Sequence, residues 1–306
     1  LGDIKMTIQG FGYGVMDDGS AWRLDRKLSQ LVDEGFTHAE VRPERWQVWQ
    51  DEQIENRRLA RLTAVLDKHR SHLDYVMQLP PTVNLFDLAR QGEHLRLLQQ
   101  GLKVGQHIGA KLLLYQPGYR PLRPATNFIA MRELMARERI ILHQLADEAA
   151  VWGSQIALVT PDYLAAGHSP YAVLPELLVN QIKTLDHPQV GLCLDFSQLY
   201  IAANWCGFDY VQAVQRLLPL ATHFHLQDTV GHMRQAGLPN SSLASSVTYL
   251  PPGWHSWYGP EIMDEMPPAE AVLATFGLAE AFYPYESHSF RQNQQLFQQG
   301  VTAVTP

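Results

Sequence analysis

Residues 190–228 constrain the fold most tightly, because there two short apolar runs each end in groups able to hold a metal ion. The first, Val190-Gly191-Leu192-Cys193-Leu194-Asp195, is β-rich and stops at a carboxylate. The second, Thr222-His223-Phe224-His225-Leu226-Gln227-Asp228, alternates imidazole with apolar side chains. Residues 208–220 between them carry a helical period. Strand, helix, strand is a βαβ unit, and its crossover makes the strands parallel with their polar ends on one rim. Side chains alternate along a strand, so His223 and His225 share one face while Phe224 and Leu226 share the other. With the apolar pair packed outward against helices, both histidines face inward and Asp195 points into the same rim as His225.

The same alternation runs through the rest of the chain. Strands are expected at 5–15, 38–42, 73–79, 111–115, 155–159 and 281–285, besides the two already named. Helices are expected at 23–35, 55–69, 93–108, 131–152, 171–185, 208–220, 267–276 and 290–297. The stripes Leu24, Leu28, Leu31, Val32 and Leu59, Leu62, Val65, Leu66 are amphipathic, and Gly35, Gly109 and Gly153 are stop signals. Eight strands alternating with eight helices close most simply as a single (β/α)8 barrel spanning 1–306, an α/β fold whose site is built at the strands' C-terminal ends. An open doubly wound sheet would want a phosphate-binding glycine fingerprint after its first strand, and Gly10, Gly12 and Gly14 lack that spacing.

Charge and cysteine content narrow the function classes. A formal net charge of −7 argues against nucleic acid held through its phosphate backbone. Cys193 and Cys206, the two cysteines, cannot make a disulfide framework, and no apolar run approaches ~18 residues, so a soluble, cytoplasmic protein away from membranes is expected.

The polar residues at the strand ends are Glu40 and Arg42, Gln78, Gln116, Thr160, Asp195, His225 and Glu286. Asp195, His225 and Glu286 come from consecutive strands and form a mixed oxygen and nitrogen set suited to Mn2+, Mg2+, Co2+ or Zn2+. These runs, with the Leu250-Pro251-Pro252-Gly253 turn and Gln78-Leu79-Pro80 followed by Val83-Asn84-Leu85, resemble the xylose isomerase-like TIM barrel superfamily over nearly the whole chain. That group includes sugar-phosphate isomerases, tagatose 3-epimerase-like enzymes, hydroxypyruvate isomerase and endonuclease IV. The resemblance implies that Asp195, His225 and Glu286 match three of the family's four metal ligands. The fourth, a glutamate ending the fifth strand, is replaced here by Val159. In the epimerases the strand-five and strand-eight glutamates are the paired proton carriers, so Val159 removes one of them.

Where relatives often have histidine, this chain has Gln78 and Gln198, which can bond a sugar hydroxyl but cannot shuttle protons near neutral pH. The Asp-x-His pair of endonuclease IV is missing around Thr248 and Tyr249, which argues against a three-metal phosphodiesterase. Glu286 is the expected general base and His255 a substitute acid/base; Gln78, Gln198, Arg42, His223, Trp254 and Trp257 are expected to line a carbohydrate site. Each has a plainer reading: Asp195 suits a helix N-cap, His223 and His225 suit a bonded core, and the tryptophans, Trp205 included, suit a subunit interface. Arg120 and Arg123 suit either an anion clamp or a solvated loop. The leading expectation is a divalent-metal-dependent sugar isomerase or epimerase that moves a proton alpha to a carbonyl. The alternatives are a metal-assisted lyase or deglycosidase acting on an oxidised glycoside, and a non-catalytic barrel serving as a partner subunit. Association into a homo-oligomer through outer helices is a family habit.

Overall fold

This computed structural model describes residues 12–15, 19–33, 35–50, 53–121, 128–161 and 168–225. Within them seven parallel strands follow one another in chain order: β1 Gly12–Gly14, β2 His38–Val41, β3 Asp74–Gln78, β4 Ala110–Tyr115, β5 Gln155–Val159, β6 Val190–Asp195 and β7 Ala221–His225. Sequence-consecutive neighbours throughout are the signature of a repeated right-handed βαβ winding. The expected strand at 281–285 and the helices at 267–276 and 290–297 lie outside the described residues.

The helices between the strands form because each offers an apolar stripe to the sheet. α1 (Ala21–Asp33) buries Leu24, Leu28 and Leu31, and α2 (Asn56–Asp67) buries Leu59, Leu62, Val65 and Leu66. Each such leucine contributes roughly 1.5–3 kcal/mol by leaving water. Glu55 caps α2 by accepting from the Arg57 and Arg58 amides at 3.2 and 2.8 Å, which starts the helix there. α3 (Gln91–Ile108) stops at Gly109, whose φ of +68° few other residues adopt. α4 (Phe128–Ala150) and α5 (Pro175–Leu185) complete the layer up to β6.

The β6-to-β7 crossover differs from expectation. Instead of one helix over 208–220 it holds two, α6 (Phe196–Cys206) and α7 (Tyr210–Leu217). α6 starts directly after Asp195, whose carboxylate Oδ1 accepts from the Gln198 amide at 3.0 Å. The expected outward packing of β7 is seen, since Phe224 stacks on Phe196 of α6 with ring centroids 5.8 Å apart.

Strand side chains divide into two cores. Outward-facing Tyr75, Met77, Leu113, Ile156, Leu158, Leu192 and Leu194 merge with the helices into one large cluster. Inward-facing Val76, Leu112, Leu114, Ala157, Val159 and Cys193 form a second, smaller one. β2 and β7 stand five strand spacings apart in sheet order, which in a flat sheet would be about 24 Å. Nevertheless His225 Nε2 lies 2.8 Å from Glu40 Oε2. The sheet therefore curls until side chains of its second and last described strands meet, as closure into a barrel requires.

A buried carboxylate ties the rim together. Glu138 of α4, fully buried, accepts from Tyr115 Oη (2.7 Å) and the Gly118 amide (2.8 Å) on one oxygen. Its other oxygen accepts from Tyr171 Oη (2.6 Å) and Gln181 Nε2 (2.8 Å). The loops after β4 and β5 are thus held to α4 and α5. Asn84 adds the loop after β3 by bonding the Tyr119 carbonyl and amide, both at 3.0 Å. Gly118 is required in this corner, because a Cβ there would lie 2.4 Å from the Phe86 ring.

Candidate metal and sugar site

Alternation from the inner core upward aims Gln78, Asp195 and His225 at the C-terminal mouth of the barrel, with Glu40 beside them. β6 and β7 pair so that Cys193 matches His223 and Asp195 matches His225. The result is a carboxylate–imidazole–carboxylate row: Glu40 Oε2 at 2.8 Å from His225 Nε2, and Asp195 Oδ2 at 3.4 Å from His225 Nδ1. Glu40 and Asp195 are buried. Arg42 stands behind, its Nε 3.7 Å from Glu40 Oε1.

Burial alone would raise the Glu40 carboxyl, but the charge and hydrogen bond of His225, with Arg42 beyond, hold it at about 2. Burial by itself depresses His225, and the Cys193 sulfur, the Glu40 carboxylate and the Asp195 hydrogen bond more than reverse this, placing it well above the ordinary value. Burial pushes the Cys193 thiol up, so it stays protonated at neutral pH and the two carboxylates are what hold the imidazolium. His223, its ring centroid 5.4 Å from that of His225, is pushed down to about 3 by burial and by the His225 charge, and is neutral at pH 7.

One pair in this row has the spacing of two ligands of a divalent ion. Two ligand atoms bound about 2.1 Å from one ion at 90–110° lie roughly 3.0–3.4 Å apart, the spacing of His225 Nδ1 and Asp195 Oδ2. An ion there would replace the Nδ1 proton, as metal binding to histidine requires. Position 159 offers no donor: Val159 is buried beside Cys193, its register partner, in the apolar inner core. Glu286, the third expected ligand, and His255, Trp254 and Trp257 lie outside the described residues, as do Arg123, Gln227 and Asp228.

Gln78 is buried at the end of β3, and Gln198 sits in the first turn of α6 with its buried Oε1 unbonded. Both are thus on the inner rim, though Gln198 reaches it by following Asp195 into the helix. Trp205 lies at the far end of α6, away from Asp195 by the helix length. Arg120 sits on a short ribbon, Tyr119–Pro121 paired with His168–Pro170, above the loops that Glu138 anchors. Glu40 gained no role from its own strand; its partnership with His225 spans 185 residues and no local pattern reports it. The one available signal was a glutamate at the end of an apolar strand, where a charge needs a partner.

Two other groups among the described residues bring three potential ligands together. Cys193, His223 and His225 bring their ligand atoms within 4.8 Å of one another just below the row. On the surface, Asp147 lies 3.2 Å from His143 Nδ1 and 3.1 Å from His187 Nε2. However, His187 Nδ1 accepts from the Gln189 amide at 3.1 Å, so the His187 proton sits on Nε2 and donates to Asp147. That tautomer makes the surface group a hydrogen-bonded brace.

No curated protein matches this sequence. Among solved structures, a D-tagatose 3-epimerase-like protein superposes with a TM-score of 0.57 at 13% identity, covering 97% of this chain and 98% of that one. A xylose isomerase-like TIM barrel protein from Mycobacterium smegmatis in complex with magnesium gives 0.54 at 16% identity, covering 94% and 90%. A 3-keto-D-glucoside 4-epimerase from E. coli gives 0.54 at 15% identity, covering 77% and 85%. These likenesses establish the fold. The sequence profile described as "Xylose isomerase-like TIM barrel" matches residues 28–266, well over half the chain, and with seven sequential parallel strands curled into a barrel the chain belongs to that family.

Proposed function

We propose that this barrel is a divalent-metal-dependent sugar isomerase or epimerase acting by proton transfer alpha to a carbonyl. The observation that carries the reading is the 3.4 Å gap between His225 Nδ1 and Asp195 Oδ2 at the C-terminal mouth. Structural neighbours named as sugar epimerases support it. When bound, the ion polarises the substrate carbonyl and offsets the negative charge that develops as the alpha proton leaves.

The chain's own residues supply the rest. Glu286 is assigned the general base and completes the ligand set with Asp195 and His225. Gln78 and Gln198 orient sugar hydroxyls, the buried unbonded Oε1 of Gln198 being an acceptor in search of a donor. Arg42 and His223 line the wall beneath, and Trp254, Trp257 and His255 are assigned to the covering loop.

Val159 favours a second reading. With no carboxylate on β5, a proton cannot be returned from the opposite face of the sugar by that strand. A lyase or deglycosidase acting on an oxidised glycoside needs one base and the ion only. Both reactions begin with the same proton abstraction, so one experiment tests them together. The Mn2+-loaded protein is incubated in D2O with ketohexoses and with 3-keto-glucosides, and the sugars are followed by NMR. Deuterium at the carbon alpha to the carbonyl with an epimeric product supports the first reading, and released aglycone supports the second. No exchange in any substrate, despite bound metal, would return the barrel to a binding role.

A further inference from the structure

The surface group of His143, Asp147 and His187 is a brace, for the tautomer reason above, and the Glu138 hub is structural. What remains unexplained is why a buried glutamate on β2 should reach across to the last described strand.

We infer that Glu40 is the positioning residue of the metal site: by accepting the His225 Nε2 proton it fixes the imidazole so that Nδ1 faces Asp195. This rests on the metal-dependent reading above. Three observations carry it. Glu40 Oε2 lies 2.8 Å from Nε2, a charge-assisted contact at full strength, whereas the Nδ1 side is left at 3.4 Å, the opening of a ligand pair. The two nitrogens of one imidazole point in divergent directions, so anchoring Nε2 on Glu40 leaves the ring no freedom to turn Nδ1 away. Finally, Arg42 at 3.7 Å from the other Glu40 oxygen braces the carboxylate from behind. A histidine that binds metal through one nitrogen commonly gives its other N–H to a carboxylate, and losing that carboxylate weakens binding about 10–100-fold.

The arrangement also gives the site its order of assembly. Glu40 holds His225 before any ion arrives, so the ion meets a ring already oriented. With the strand-five donor replaced by Val159, fewer ligands remain to orient one another, and more of the orientation falls to Glu40.

The test is metal binding, read without catalysis. Mn2+ affinity is measured by calorimetry on wild type, Glu40→Ala and Glu40→Gln, each checked for folding by circular dichroism. The Co2+ complexes are examined by absorption spectroscopy. Glu40→Ala is expected to bind Mn2+ about 10–100-fold more weakly, and Glu40→Gln, whose amide oxygen still accepts from Nε2, to recover much of that loss. Equal affinity in folded Glu40→Ala, or equal weakness in both variants, overturns the inference. Should Glu40→Ala fail to fold, Glu40→Asp, which keeps the charge but withdraws the carboxylate from Nε2, takes its place, and an Mn2+ affinity and Co2+ spectrum equal to those of wild type overturn it. A sulfur-to-cobalt charge-transfer band in wild type would place the ion on Cys193, His223 and His225, and that also overturns it. A wild type that binds neither ion sinks the metal reading itself, a result distinct from wild-type binding that the variants leave unchanged.

Discussion

Two buried carboxylates in this barrel meet opposite electrostatic fates. Glu138 receives four hydrogen bonds, from Tyr171, Gly118, Tyr115 and Gln181, and yet burial still holds its carboxyl above the usual range. Glu40 receives one hydrogen bond from His225, with Arg42 nearby, and sits at about 2. The difference is charge. Neutral donors satisfy lone pairs without neutralising the ion, whereas an imidazolium does both. Glu138 is therefore a fastener between loops and helices, and Glu40 is part of an ionic device at the mouth.

The comparison can be broken most decisively at the fastener. Glu138→Leu should strand the donors of Tyr115, Gly118, Tyr171 and Gln181 and lower unfolding free energy by roughly 4 kcal/mol, read by urea denaturation. A loss below about 1 kcal/mol would mean that those donors find water and that the hub is not buried in solution. Next in size, Val159→Glu adds a carboxylate to the apolar inner core and should cost the metal-free protein about 3 kcal/mol. Mn2+ should then raise the variant's Tm by more than it raises that of wild type; no difference in that increment would separate position 159 from the ion.

The titrations come third. His223 is depressed to about 3 in the folded state against 6.5 otherwise, so its contribution is complete above pH 6.5 and is lost as pH falls towards 3. Glu40 adds a loss between pH 4.5 and about 2. His225, raised, contributes fully below 6.5 and loses its share as pH climbs through its folded value. His223→Gln should therefore flatten the stability curve of metal-free protein between pH 6.5 and 3 by on the order of 2 kcal/mol, measured by urea midpoints across that range. A curve of unchanged slope would show His223 to be solvated. Smallest of all, Arg42→Ala should move stability by no more than about 1 kcal/mol, since its Nε stands 3.7 Å from Glu40 and the side chain is partly exposed.

The sequence announced the strands because each is a short apolar run bracketed by a turn signal, and β5 and β6 occur where expected to the residue. α6 escaped because apolar residues stand all round it in sequence, Ile201, Trp205 and Cys206 as well as Phe196, Leu199, Tyr200 and Ala203, so no polar face sets off the side that is buried. The inward aim of His223 and His225 followed from a period of two, which is local. Glu40 was legible as a strand-end carboxylate, but its pairing with His225 was not, because that depends on barrel closure, which only tertiary structure supplies. Val159 was legible as a departure from the family pattern, but the apolar inner core around it was not.

Asp195 has two oxygens with two employers: Oδ1 caps α6 through the Gln198 amide while Oδ2 faces His225. Selection acting on the helix start alone would preserve an aspartate here through generations in which catalysis had lapsed. An aspartate at this position is therefore no evidence of an ion site by itself, since the start of α6 uses a capping carboxylate whatever Oδ2 holds.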